Sequence, residues 1–414
     1  MLFSEKLRLY YFTALNLLYA QQETDFRKTF QILNPVSYFP FRAFTSIILL
    51  MKTPFIIDAH EDLAYESLRW GFDYAASVAY NRKKINGPDY QSTIGWPELQ
   101  KGRVGIIFGT IFLDPPYEVV SAGKKVGVNY SNTDEYHVSV CAQLDFYDRL
   151  QEEHHDEFRR IFSRADYDQI VRPLIEDPEN EHTVGLIGLL EGAEGLRSFD
   201  DLELYRNRGV HLVGPVWGGG RWCAGTKSRD MKDALTDEGK TLLQKMSALG
   251  LVLDISHMKN HSAMDSLDYY DGIVAASHAN CNALLHDMPI ERHLNDETIR
   301  MLISHDGVMG VIPFNFFLSP NWKYVNENSR REVTLNMLAD HIDHICQLAG
   351  DSGHAAIGSD FDGGFGYPEI PYEMNDISDL QKLSEVLDSR GYGEKDIENI
   401  FSKNWQRILE RALK

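Results

Sequence analysis

The residues of this chain best suited to chemistry stand at the ends of short apolar runs. Phe55-Ile56-Ile57-Asp58-Ala59-His60-Glu61-Asp62 is the first. Along a strand, residues two apart share a face, so His60 and Asp62 project together. An imidazole beside a carboxylate is half of a divalent-metal site. Later runs end in Glu191, His257, His278 and Asp360, with Asp362 two residues on. A single zinc needs three protein ligands and an open position. Five ligands suit two metals roughly 3.5–4 Å apart that share one carboxylate and a water. His60 and Asp62 would then hold one ion and His257 and His278 the other. Glu191 is the natural bridge, because its run lies between those carrying the two pairs. Two cations lower the pKa of the shared water, so hydroxide is available near neutral pH for hydrolysis of an amide or ester. Asp360 is left over to handle protons. A lone histidine at a strand end is ordinarily capped or solvated, and among 15 histidines one or two such placements arise by chance. Three imidazoles and two carboxylates, each ending a different run or paired at period two, are much harder to obtain by accident.

The runs that must position these groups cover residues 55–62, 104–113, 183–190, 210–217, 249–256, 272–277, 307–314 and 355–359. Short apolar runs rich in β-branched residues read as buried parallel strands. Segments with helical spacing lie between them, such as 239–248 and 335–349. Strands alternating with helices mean right-handed βαβ units in an α/β fold. Eight of them predict a closed (β/α)8 barrel, whose strand ends converge on one mouth. No glycine-rich dinucleotide fingerprint follows the first run, which weighs against an open doubly wound sheet. Residues 114–182 are too long for a plain connection and predict a helical insertion after strand two, Tyr- and charge-rich on its surface, over the active-site face. From residue 377 the chain predicts a C-terminal helical tail, over 380–387 and 397–413, outside the barrel.

The 414 residues carry a formal charge of −20, which argues against a nucleic-acid surface and favours solubility and tolerance of bound cations. Cys141, Cys223, Cys281 and Cys346 show no CxxC spacing, which fits a reduced compartment and small buried side chains. Residues 1–50 differ from the rest and are set apart from a single barrel domain over 51–414. Their apolar stretch over 9–20 reads as a weak secretory signal, as a native extension, or as residue preceding a true start at Met51. A second apolar patch over 44–51 is too short to span a bilayer. The expectation is a cytoplasmic protein with no transmembrane segment.

At the metal-binding residues the chain resembles the membrane (renal) dipeptidase family, the M19 metallopeptidases of the amidohydrolase superfamily. The matching pieces are Asp58-Ala59-His60-Glu61-Asp62-Leu63, Leu190-Glu191-Gly192-Ala193, Asp254-Ile255-Ser256-His257 and Ala276-Ser277-His278-Ala279-Asn280. They continue with Arg292-His293-Leu294-Asn295-Asp296-Glu297, Ile357-Gly358-Ser359-Asp360-Phe361-Asp362-Gly363 and Lys403-Asn404-Trp405-Gln406-Arg407. The resemblance implies a (β/α)8 barrel with two Zn2+, other divalent ions remaining an alternative, and a small dipeptide-like substrate. It places His60, Asp62, Glu191, His257 and His278 on the ligand positions. Arg292 falls on the residue that grips the substrate's terminal carboxylate, a role suited to a guanidinium fork. Asp360 falls on the residue that shuttles a proton from the water to the leaving amine, and Asp362 reads as support for its loop. A homodimer is a family-level expectation.

One position departs from the family. Strand four of well-studied members ends in a histidine that contacts the scissile carbonyl, and Trp217 stands there here. Losing such a donor costs about 10²–10³ in rate unless something replaces it. The metal, Arg221 in Gly218-Gly219-Gly220-Arg221, or a different substrate would answer the loss. The glycine run itself reads as a flexible loop, with an anion cradle as the alternative. His211, of the same parity as Trp217, is expected deep in the barrel, away from the mouth. The leading expectation is a two-zinc dipeptidase. Its alternatives are another amidohydrolase-type enzyme (an amidase, lactonase or deaminase) and a non-catalytic metal-binding barrel. Deaminases of the superfamily usually open with His-x-His, which the His60-x-Asp62 pair does not match.

Overall fold

The computed structural model describes residues 53–86, 90–116, 125–178, 180–228, 234–285 and 291–413, so the predicted leader or extension over 1–50 lies outside the described residues. All eight predicted strands form, and they pair in chain order as parallel neighbours. They are β1 (Ile56–Glu61), β2 (Val104–Phe112), β4 (Val184–Glu191), β5 (Val210–Gly214), β6 (Val252–Asp254), β7 (Val274–Ala276), β8 (Val308–Val311) and β9 (Ala355–Ile357), with a short additional strand, β3 (Phe158–Arg160). The ring draws together at the mouth. A parallel bridge joins Glu61 to Phe361, and the Asp360 N–H donates to the His60 carbonyl at 3.1 Å. The protein is therefore an α/β chain folded as a nearly closed eight-stranded barrel with helices around it.

Both faces of the strands are apolar because both are covered. One buried cluster takes a residue from every barrel strand: Ile57, Ile106, Ile187, Leu212, Val252, Ala275, Val308 and Ala356. These are the inward side chains. Their neighbours in sequence, such as Ile56, Ile107, Leu190 and Val213, join a second cluster with the surrounding helices. Helix starts are fixed by side-chain caps: Thr236 accepts the Gly239 N–H before Asp237–Ala248, and Asn295 accepts the Thr298 N–H before Asp296–Ser304. Gly350, at φ 85°, ends Leu335–Ala349 in the left-handed conformation that glycine adopts at least cost.

The structure differs from the sequence expectation in two places. The helices of the insertion, Thr133–Glu153 and Arg164–Glu176, do not cover the mouth. The first buries Tyr136, Val140, Leu144 and Tyr147 at helical spacing and packs on β2 and β3. The second packs on β2 and β4. The tyrosines predicted for a surface are therefore partly core. β3 pairs with Val184–Leu186, below the point where β5 takes over the edge of β4 at Gly188. The tail is helical, but its last helix, Asn404–Ala412, does not merely lie outside. Trp405, Ile408 and Leu409 join the inward cluster, the Trp405 ring lies 5.2 Å from Phe108, and its indole N–H donates to the Ile357 carbonyl at 2.8 Å.

Candidate metal centre and substrate cavity

The five predicted ligands meet at the mouth although they come from four different strand ends. His60 belongs to β1, with Asp62 just past it, and Glu191 ends β4. His257 and His278 follow β6 and β7. One oxygen of Glu191, Oε2, lies 3.5 Å from His60 Nε2. The other, Oε1, lies 2.7 Å from His257 Nε2 and 3.5 Å from His278 Nε2. Asp62 Oδ2 is 3.9 Å from His60 Nε2. Three three-residue donor groups result, the atoms of each within 4.8 Å of one another: His60–Asp62–Glu191 and Glu191–His257–His278, which share the carboxylate, and His60–His278–Asp360. Asp360 joins the same neighbourhood, with Oδ1 3.7 Å from His60 Nε2.

The electrostatics of the donors fit a divalent cation. Burial pushes the Asp62 carboxyl up to about 8, reinforced by the Glu191 charge, and pushes Glu191 to about 8 as well. Burial holds His257 and His278 well below the ordinary imidazole value, helped by the Arg292 charge and the neighbouring imidazoles. The imidazoles are thus neutral, with lone pairs available for coordination. The Nε2 atoms of His257 and His278 stand 3.0 Å apart, and buried Asp62 Oδ1 and His60 Nε2 lack hydrogen-bond partners. Buried polar groups left this way carry a cost that a cation among them would offset.

Behind the donors lies a layer the sequence reading did not resolve. Asp254 Oδ1 accepts from the Ser256 hydroxyl at 2.5 Å and the Ser277 N–H at 2.9 Å, and Oδ2 accepts from the Ser277 hydroxyl at 2.5 Å. Ser277 Oγ in turn meets His278 Nδ1 at 2.8 Å, which fixes the ring and leaves Nε2 facing the site. Asp254 and Ser277 sit inside the quoted motifs, so their positions were visible but their contacts were not. At the seam of the barrel, Asp58 Oδ1 accepts the Ser359 N–H at 2.7 Å, locking β1 to the segment that carries Asp360. Asp360 and Asp362 both take left-handed φ, 59° and 57°, a conformation aspartate tolerates better than most residues. Asp362 supports the loop as expected: its carboxylate accepts from the Thr93 N–H at 2.8 Å and the Thr93 hydroxyl at 2.7 Å, and from Ser92 and Tyr74.

Above the donors opens a cavity of about 690 Å³, whose lining includes Asp62, Glu191, His257, Arg292, Trp217 and Asp360. That volume suits a small molecule. Arg292 is buried and donates to the Ser256 carbonyl at 2.8 Å and the His278 carbonyl at 3.1 Å, so its fork is held by the backbones of the two histidine-bearing turns. Trp217 lines the wall, 5.0 Å from the Phe112 ring and 5.9 Å from that of His257. The Lys227 ammonium stands over the indole, 4.0 Å from the centre of the Trp217 ring. Arg221 is not part of the lining. It donates to the Glu194 and Leu196 carbonyls at 3.2 and 2.6 Å and stacks on Trp222. The glycine run after Trp217 does cradle an anion, but the anion is the protein's own. Glu194 Oε1 accepts the N–H groups of Trp217, Gly218 and Gly219 at 2.9, 3.3 and 3.1 Å. His211 is fully buried beside Ile161 and Arg206, on the opposite face of β5 from inward Leu212 and away from the cavity.

A barrel whose strand ends gather imidazoles and carboxylates around a small-molecule cavity is the layout of a metal-dependent hydrolase. Residues 45–414 match the family described as Membrane dipeptidase (Peptidase family M19), and the chain belongs to that family, a family of metallo-dipeptidases. Among its relatives are an uncharacterized protein in the pqqA 5′ region of Klebsiella pneumoniae, 29% identical over 58% of this chain and 86% of its own, and Dipeptidase tcpJ of Claviceps purpurea, 22% identical over 86% and 76%. The fold is shared with a metallo peptidase from Rhodobacter sphaeroides, solved with a phosphinate mimic of the dipeptide L-Ala-D-Ala, at a TM-score of 0.68 and 23% identity over 87% of this chain and 99% of that one. Among the described residues, no helix is long and apolar enough to cross a membrane.

Proposed function

We propose that the protein hydrolyses the peptide bond of dipeptides at a pair of zinc ions held by His60, Asp62, Glu191, His257 and His278. The observation that carries this reading is Glu191, which turns one oxygen to His60 and the other to His257 and His278. A set of three imidazoles and two carboxylates suits zinc, with other divalent ions as substitutes. When bound, the ions supply a water of lowered pKa and a Lewis acid for the scissile carbonyl. The chain's own groups do the rest. The buried Arg292 guanidinium, with N–H donors beyond the two used on Ser256 and His278, receives the substrate's free carboxylate. Asp360 accepts a proton on its carboxylate and delivers it to the leaving amine nitrogen. Burial holds that carboxyl well above the usual range, so it retains a proton long enough to pass it on. Trp217 and Phe112 narrow the wall beside His257 and exclude water.

The test is a panel of dipeptides, each with a free or an amidated C-terminus, offered to zinc-loaded protein with and without a chelator. The reading expects hydrolysis of the free acids, weak turnover of the amides, and loss of activity on chelation. Turnover of lactones or aminopurines in place of dipeptides would contradict it.

A further inference from the structure

The cavity has two ends of unlike character. Arg292, with Phe314 and Phe317, stands on the β7–β8 side. Across the mouth stand Tyr65, Glu66, Arg69 and Trp70 from the helix after β1 (Leu63–Trp70), and Phe112 and Asp114 at the end of β2. Among the described residues the cation there, Arg69, is already matched: it lies 3.1 Å from Asp114, which also accepts from the Tyr65 hydroxyl at 2.9 Å. Glu66 is different. It is 1% exposed, and among the described residues no cation pairs with its carboxylate. Burial is the main force against its ionised form and Asp362, Asp62 and Asp114 add to it, while a hydrogen bond from the Tyr90 phenol, also on the cavity wall, favours that form. A buried acid without a counter-charge is costly, and an apolar side chain of like size would fill the same space without that cost.

Resting on the dipeptidase reading above, we propose that Glu66 determines specificity for the substrate's N-terminal residue, favouring a side chain that ends in a cation, of the lysine or arginine class. With the terminal carboxylate anchored at Arg292, the first residue of a bound dipeptide points to the β1–β2 side. There Tyr65, Trp70 and Phe112 offer aromatic surface for an aliphatic stem, and Glu66 offers the counter-charge at its end. A cation brought to Glu66 supplies the counter-charge that the described residues leave out.

The test measures kcat/KM of the zinc-loaded full chain for Lys-Ala and for norleucyl-Ala, which matches the lysine stem without the charge. The wild type is expected to favour Lys-Ala by about tenfold or more, the scale of a charge-assisted hydrogen bond. Glu66→Gln, nearly the same shape, is expected to collapse that ratio at least about tenfold, chiefly through KM for Lys-Ala. A loss of packing alone would lower both substrates together and leave the ratio standing. An unchanged ratio in Glu66→Gln overturns the proposal. So does a wild type without preference for Lys-Ala, a result that decides the matter even if the variant is insoluble. Turnover of norleucyl-Ala without that preference overturns this inference alone, whereas no turnover of either dipeptide sinks the dipeptidase reading and this inference with it.

Discussion

Glu191 is the shared member of the proposed centre, because its two oxygens face two different sets of donors. On the proposed arrangement each of the other candidate ligands serves one ion, so their removal is expected to be selective. His257→Ala should lose one ion and lower kcat/KM by roughly 10³-fold, the several kcal/mol that a catalytic metal contributes. Activity and zinc content measured on the same sample check this, and full activity would refute the site. Arg292→Lys keeps the charge and loses the fork. It is expected to raise KM for free-acid dipeptides roughly 10–100-fold with a smaller change in kcat, as steady-state kinetics would show. At this scale the candidate ligands were legible because they stand at the ends of apolar runs, and type plus position singled them out. Glu66 was not legible, and of Asp254 the position was but not the role. Each is an ordinary acid in the sequence, and what sets it apart is burial and what meets it from other segments.

At the scale of elements, the strands aim the ligands and the turns after them hold the aim. β6 and β7 are only three residues long, so the turns carrying His257 and His278 rely on Asp254 and Ser277 for order. Ser277→Ala removes the partner of His278 Nδ1. It is expected to weaken zinc binding roughly 10–100-fold, measured by competition with a chelator, while the fold melts near its normal temperature. The eight strands could be read from apolar runs with turn residues between them. β3 could not, since three residues, Phe158–Arg160, carry no period. The insertion was misplaced for a related reason. Its tyrosines recur at helical spacing, but composition alone does not say whether that face meets solvent or the outside of β2. Trp217, Arg221 and the glycine run looked like one binding loop. The chain instead spends the glycine N–H groups on Glu194 and the Arg221 guanidinium on backbone carbonyls.

Across the whole molecule, the first and last segments of the barrel are tied together at both ends. The mouth is joined through Glu61–Phe361 and Asp58–Ser359, and the inward cluster is completed by Trp405 from the final helix. Trp405→Ala leaves a cavity against Phe108 and strands the Ile357 carbonyl without its indole donor. A loss of about 3–5 kcal/mol in urea unfolding is expected. Because the ring brings distant ligands together, metal binding and folding are coupled, and bound ions stabilise the chain by mass action. The central claim is the shared two-ion centre, and elemental analysis of the zinc-saturated, dialysed protein tests it most directly. The account predicts two zinc per chain, with dipeptide hydrolysis lost on their removal and restored on their return. Protein that holds no zinc after saturation, or that hydrolyses dipeptides equally well when stripped of metal, would contradict it.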